Sequence, residues 1–91
     1  MSAYSTSKGA VDAWSSSLAK ELAPLGVHVN TFLPPGTKTG LGAAHLPPDF
    51  FDRMVKMSLL GRFCTPEEVG RMITFMVSDA NSYMVGQLIK L

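Results

Sequence analysis

The spacing of apolar residues changes at Gly26, and this change limits the folds open to the chain. Before Gly26, apolar side chains recur every three or four residues: Val11, Trp14, Leu18, Leu22 and Leu25. This spacing predicts a helix from Tyr4 to about Leu25 with that face buried, ended by Pro24 and Gly26. After Gly26, residues 27–33 alternate apolar and polar side chains, which predicts a strand. The chain is therefore expected to begin with a helix that leads directly into a strand.

A second helix and strand are predicted in the last third of the chain. Thr65 and Glu68 have the spacing of a capping box around Pro66, so a helix should run from there to about Asp79. Its apolar residues are expected to be largely buried: Val69, Met72, Ile73, Phe75, Met76 and Val77. A short helix over residues 49–57 precedes it, and residues 86–91 read as a final strand. Helices that alternate with strands favour a parallel α/β sheet with right-handed crossovers.

Composition excludes several classes of function. The 91 residues are 46% hydrophobic, with eight basic and seven acidic side chains, which suits one domain and makes nucleic acid an unexpected partner. No apolar run approaches the roughly 20 residues that span a bilayer, and no signal pattern opens the chain, so we expect a cytoplasmic protein without membrane contact. One cysteine and two distant histidines cannot supply a tetrahedral zinc site.

Residues 34–48 contain four prolines and three glycines, which predicts a long loop and a candidate lid. Gly36, Gly40 and Gly42 copy the spacing of a nucleotide-binding fingerprint. That fingerprint must open a helix, and Pro47 and Pro48 would break such a helix within two turns. We therefore expect these glycines to act as hinges of the loop. His45, in the same loop, is a weaker candidate for contact with a substrate.

Tyr4 and Lys8 lie one helical turn apart, so their head groups can meet one ligand. At this position they should border the buried stripe of the first helix. A phenol beside an ammonium group is an acid/base device, because the cation favours the phenolate that accepts a proton from an alcohol. By itself the spacing is weak, since such a pair arises often by chance and also suits a solvated helix surface.

Further motifs along the whole chain favour a functional interpretation of Tyr4 and Lys8. They are residues 4–11, Val29-Asn30 before a proline turn, Thr39, residues 65–69, and Ser78-Asp79 through Gly86-Gln87. Their order and spacing resemble those of the short-chain dehydrogenase/reductase family over essentially all 91 residues. The resemblance implies an α/β fold, the C-terminal portion of a Rossmann-type doubly wound parallel sheet. It also implies that residues 1–91 form the C-terminal part of one such domain.

The resemblance assigns roles to individual residues. Tyr4 would be the catalytic acid/base, and Lys8 would bind the nicotinamide ribose hydroxyls of NAD or NADP while lowering the tyrosine pKa. Pro34 and Thr39 keep the family's spacing on the cofactor-side loop, with Thr39 meeting the nicotinamide carboxamide and Thr37 a weaker backbone contact. Pro35 departs from the family, which usually has glycine there, and it removes a backbone donor. Asn30 is expected to be structural, bonding backbone near the strand end.

The family's N-terminal nucleotide-binding half has no counterpart in these residues, neither the Gly-rich turn nor the strand with the catalytic serine. We therefore expect a truncated form of an NAD(P)-dependent alcohol/carbonyl oxidoreductase. Phe50, Phe51, Met54 and Met57 suggest an apolar substrate. Because relatives commonly pair the first helix, the full-length form is expected to be a homo-oligomer. The alternative is a catalytically inactive fragment that binds full-length relatives as an interaction module.

Overall fold

A computed structural model describes residues 2–37 and 46–91, which fall into two compact units. The first unit runs to Leu33 and resumes over Ser78–Leu91, and the second is Pro34–Val77. No helix in the described ranges is long and apolar enough to cross a membrane.

The first unit opens on α1, Ser2–Leu22, which tightens into a 3-10 turn over Ala23–Leu25. Pro24 can occupy this turn because its missing N–H falls where the helical bonding is already ending. Gly26 follows in the left-handed region (φ 80°) and donates its N–H to the Ala23 carbonyl oxygen at 3.0 Å. The predicted helix and its glycine stop are confirmed.

The sheet of the first unit consists of β1, Thr31–Leu33, and β2, Leu88–Lys90. The strands are parallel, with Phe32 opposite Ile89, which confirms the predicted parallel pairing. Both strands are shorter than predicted, since residues 27–30 are extended without entering β1. The pairing nevertheless begins early, because Gly86 donates to the Val29 carbonyl oxygen at 2.8 Å and Thr31 donates to that of Gln87 at 2.8 Å.

The buried face of α1 differs from the predicted one. Ala19, at 2% exposure, is the one buried apolar residue of the described chain, whereas Val11, Trp14 and Leu25 are 50%, 63% and 75% exposed. A Cβ placed on Gly86 would lie 3.5 Å from the Ala19 methyl carbon, so the chain before β2 approaches α1 at its small residues. Ala19 and Trp14 point about 140° apart around a helix. Leu18 and Leu22 of the same stripe are half-buried, so the prediction that the large apolar stripe is buried is partly wrong within the described residues.

The second unit holds α2, Pro48–Met57, and α3, Pro66–Met76. The predicted capping box is confirmed at α3: Glu68 donates its backbone N–H to the Thr65 hydroxyl at 3.1 Å, and the Glu68 carboxylate accepts from the Thr65 N–H at 3.3 Å.

The predicted end and buried face of α3 are partly wrong. The helix stops at Met76, short of Asp79. Ile73, Phe75 and Val77 are 43%, 47% and 80% exposed, while Val69, Met72 and Met76 are half-buried. A short helix that packs along one side leaves its remaining apolar side chains in water unless a second layer covers them.

Candidate active site

Tyr4 and Lys8 lie in the first turns of α1 and contact each other. The Lys8 Nζ is 5.5 Å from the centroid of the Tyr4 ring, a distance at which an ammonium group is attracted to an aromatic face. The Ser7 hydroxyl donates to the Tyr4 carbonyl oxygen at 2.7 Å. Tyr4 is 58% exposed, so the expected position at the edge of a buried stripe is wrong within the described residues.

The predicted cofactor-side residues belong to the second unit where they are described. Pro34 is exposed and Thr37 is half-buried, at either end of a four-residue segment that precedes the undescribed part of the loop. Thr39 lies outside the described residues, as do Gly40, Gly42 and His45, so the assignments to them stay predictions. The candidate lid lies mostly in the same range.

Gly36, within this segment, differs from a simple hinge. Gly26, Gly61 and Gly86 are the described glycines with positive φ, and Gly36 is not among them. A Cβ on Gly36 would instead fall 2.5 Å from the Met54 methyl carbon. Its glycine character therefore serves close packing.

Asn30 bonds backbone groups on both of its amide atoms. Its Nδ2 donates to the Met84 carbonyl oxygen at 3.0 Å, and its Oδ1 accepts the Gln87 N–H at 3.0 Å. The predicted structural role of Asn30 is confirmed. It joins the start of β1 to the segment that leads into β2.

Asn81 is a second structural amide, which sequence reasoning missed. It is 8% exposed, accepts the Met84 N–H at 2.9 Å and donates to the Met84 carbonyl oxygen at 3.3 Å. Its acceptor lies three residues before the donor, the local pattern by which asparagine shapes turns. That spacing was the available signal, because an asparagine soon after a predicted helix favours such a turn.

Arg62 and Glu68 form an ion pair that is shorter than the one between Arg53 and Asp49, at 2.9 Å against 3.7 Å. Arg62 donates to both Glu68 carboxylate oxygens, at 2.9 and 3.1 Å, a bidentate arrangement. These hydrogen bonds, followed by those from Cys64 and from the Thr65 backbone, lower the pKa of Glu68 from 4.5 to about 2. Partial burial, followed by Glu68, raises the pKa of the Cys64 thiol. Sequence reasoning missed this pair, since the two residues are six apart and share no helix.

The side chains that suggested an apolar substrate are largely engaged in packing. Phe51 meets Phe63 edge to face with ring centroids 5.8 Å apart, and Phe50 meets Phe51 at 6.0 Å. Met54 lies against Gly36, and Met57 is 84% exposed. Most of this group is therefore half-buried in contacts within the second unit, and Met57 is the one left in solvent.

Comparison with known proteins identifies the class. Residues 1–91 match the family model described as Enoyl-(Acyl carrier protein) reductase. The chain belongs to this family of short-chain dehydrogenases/reductases, and its α/β fold is a portion of the Rossmann-type fold of these proteins.

Individual relatives place the chain within the family. It is 41% identical over 85 residues to Protein FixR of Bradyrhizobium diazoefficiens, covering 93% of this chain and 29% of that protein. It is 38% identical over 86 residues to the 3-oxoacyl-[acyl-carrier-protein] reductase FabG of Aquifex aeolicus, covering 94% and 34%. A solved actinorhodin polyketide ketoreductase with NADPH is 26% identical, covering 97% and 38%, with a TM-score of 0.82. The chain thus spans about a third of the length of these relatives.

Proposed function

We propose that this chain supplies the proton-transfer part of an NAD(P)-dependent oxidoreductase that interconverts an alcohol and a carbonyl compound. The observation that carries the proposal is the contact of Lys8 with the Tyr4 ring on the exposed start of α1. Relatives named as reductases, one of them solved with NADPH, support the same class of reaction.

Tyr4 is the acid/base in this proposal. As an alcohol is oxidised, the Tyr4 oxygen takes the hydroxyl proton while the carbon gives up its hydrogen with both electrons and becomes a carbonyl. In reduction the phenol returns that proton to the developing alkoxide. Lys8 stabilises the phenolate form, since a cation beside a phenol favours its charged state.

A nicotinamide dinucleotide, NAD or NADP, supplies or accepts the hydride when bound. The donors of α1 fit its ribose, because the exposed Lys8 ammonium has three N–H groups and ribose hydroxyls accept such bonds. On the second unit, Pro34 and Thr37 are the proposed contacts for the carboxamide side, together with Thr39.

The substrate we propose is an apolar alcohol or carbonyl compound. Met57 is the member of the predicted group that supports this, because it is 84% exposed. The other three members are occupied by packing contacts: Phe50 with Phe51, Phe51 with Phe63, and Met54 with Gly36.

Tyrosine replacement in a complete enzyme tests the acid/base role. The chain would be joined to the upstream two thirds of Aquifex aeolicus FabG in place of the matching segment, and reduction of a 3-oxoacyl substrate would be followed through NADPH absorbance. Tyr4→Phe is expected to lower kcat by about 10²-fold or more, the range for loss of a general acid. Tyr83→Phe is the matched control, because Tyr83 is the other tyrosine and is 92% exposed. Equal activity of the two variants would remove Tyr4 from its role.

A second candidate function is an inactive module that binds full-length relatives through α1 and the last strand, β2. The exposed flank of Val11 and Trp14 favours it, since large apolar side chains in water often mark a contact surface. The same flank supports a homo-oligomer for a full-length form.

Measurement of mass by light scattering, with and without a full-length relative, separates the two functions. A module gives a mixed complex that Trp14→Glu abolishes and Ser16→Glu preserves, since these positions lie about 160° apart around a helix. A chain that remains unbound at high concentration of the relative rules out the module.

A further inference from the structure

Gly36 is enclosed by side chains of the second unit. A Cβ at this position would lie 2.5 Å from the Met54 methyl carbon and 3.4 and 3.5 Å from two carbons of the Phe63 ring. Real Cβ atoms do not approach other atoms to 2.5 Å, so any larger residue requires Met54 to move. Because φ of Gly36 is not positive, backbone strain does not require glycine here, and the contact that a larger residue would disturb is the one with the end of the Met54 side chain.

The backbone of Gly36 is fixed by a separate contact. Cys64 donates its N–H to the Gly36 carbonyl oxygen at 3.1 Å. Phe63, the residue before Cys64, is itself held by Phe51 of α2 through their edge-to-face contact. Gly36 is thus held by two contacts: Met54 of α2 packs against it, and the Cys64 N–H donates a hydrogen bond to its carbonyl oxygen.

The contacts of Gly36 matter because of the residues that flank it in sequence. Pro34 and Thr37 flank it on the segment that we propose faces the cofactor, and Pro35 can donate no backbone hydrogen bond. Pro35 also stands where the resemblance leads one to expect glycine, and Gly36 is the residue that follows it. The conformation of the segment therefore depends on the contacts of Gly36.

We infer that Gly36 and Met54 form a size-matched contact that positions Thr37, so that the geometry of the cofactor-side segment is set by α2. Gly36 is in this sense a positioning residue, acting through the backbone that it shares with Thr37. The inference rests on the proposed function for the meaning of Thr37, while the contact itself involves no nucleotide. Replacement of Gly36 by a larger residue should displace the segment. Shortening of the Met54 side chain in the same chain should restore the segment to its original position.

The test is a double-variant cycle on the 91-residue chain, followed by NMR without nucleotide. Gly36→Ala is expected to speed hydrogen exchange at the Cys64 amide by about tenfold, because its acceptor moves. It should also shift the Thr37 amide resonance. In Gly36→Ala/Met54→Ala the exchange rate of the Cys64 amide should return to within about threefold of its rate in Met54→Ala alone. The Thr37 amide resonance should likewise return close to its position in Met54→Ala. Gly70→Ala is the matched control, since a Cβ on Gly70 meets nothing within 4 Å.

Several outcomes would overturn the inference. In the unaltered chain the Met54 methyl protons must show a nuclear Overhauser effect to the Gly36 Hα protons, and absence of that effect contradicts the contact. Signals that do not move in Gly36→Ala contradict it equally. If Gly36→Ala does not fold, folding of the double variant supports the contact, and failure of the double variant where Met54→Ala alone folds refutes it. Loss of Tyr4 activity in the fused enzyme bears on the proposed function alone, because none of these NMR signals depends on it.

Discussion

The Asn30 side-chain amide donates to the Met84 carbonyl oxygen at 3.0 Å, across 54 residues of sequence. Its oxygen accepts the Gln87 N–H, so one side chain ties the start of β1 to the segment before β2. The parallel pairing of two three-residue strands therefore has a side-chain clamp at its beginning. Such a clamp matters in a short ladder, where each backbone bond is a large share of the total.

Asn30→Ala should destabilise the first unit. The Met84 carbonyl oxygen keeps its bond from Asn81, but the Gln87 N–H loses its acceptor. The expected cost is about 1 to 3 kcal/mol in the free energy of unfolding, measured with urea. Gln87→Ala is the control, because it removes only a local side-chain bond to Val85. Equal stability of Asn30→Ala and the unaltered chain would show that the clamp contributes nothing.

Thr65→Ala should weaken the start of α3. The hydroxyl accepts the Glu68 N–H at 3.1 Å, and removing such a cap costs about 1 kcal/mol. Thr74→Ala serves as the matched comparison, since Thr74 bonds the Gly70 carbonyl oxygen within the helix and caps nothing. Thermal unfolding followed by circular dichroism reports both. A larger loss for Thr74→Ala would contradict the assignment.

Stability should fall in acid through Glu68. The pKa of Glu68 in the folded chain is lowered to about 2, chiefly by hydrogen bonds from Arg62, so its contribution is complete above about pH 4.5 and is lost as the pH falls toward 2. Glu68→Gln should flatten this part of the profile of unfolding free energy against pH. Glu67→Gln, on the same turn, should leave it unchanged. A profile of equal slope in Glu68→Gln and the unaltered chain would refute the link.

Met57 should oxidise several-fold faster than Met54 in dilute hydrogen peroxide. Met57 is 84% exposed, whereas Met54 is half-buried against Gly36, and access controls the formation of sulfoxide. Mass spectrometry of peptides taken over a time course measures both rates in one sample. Equal rates in the folded chain would contradict the packing of Met54.

Local sequence patterns determined the order and kind of the described elements. The change of apolar period at Gly26, the proline and glycine stops, and the capping box at Thr65 each act within a few residues, so each could be predicted without knowledge of the fold. The resemblance that names Tyr4 and Lys8 rests on such local motifs in order along the chain. Their spacing on one helix also fixed that they are neighbours.

Only the tertiary structure decided which faces are buried and which distant groups meet. Apolar periodicity pointed to Trp14 and its neighbours, yet close approach of the chain at Gly86 selected Ala19, because small residues let backbone approach where a tryptophan cannot. Gly36 likewise had one interpretation from the sequence and another from the structure, and a close approach of distant groups again decides between them. Its sequence spacing suggested a hinge, and the methyl group of Met54, 18 positions away, makes it a point of contact. Contacts between residues far apart in sequence leave no periodic pattern, and they become visible only when the chain is folded.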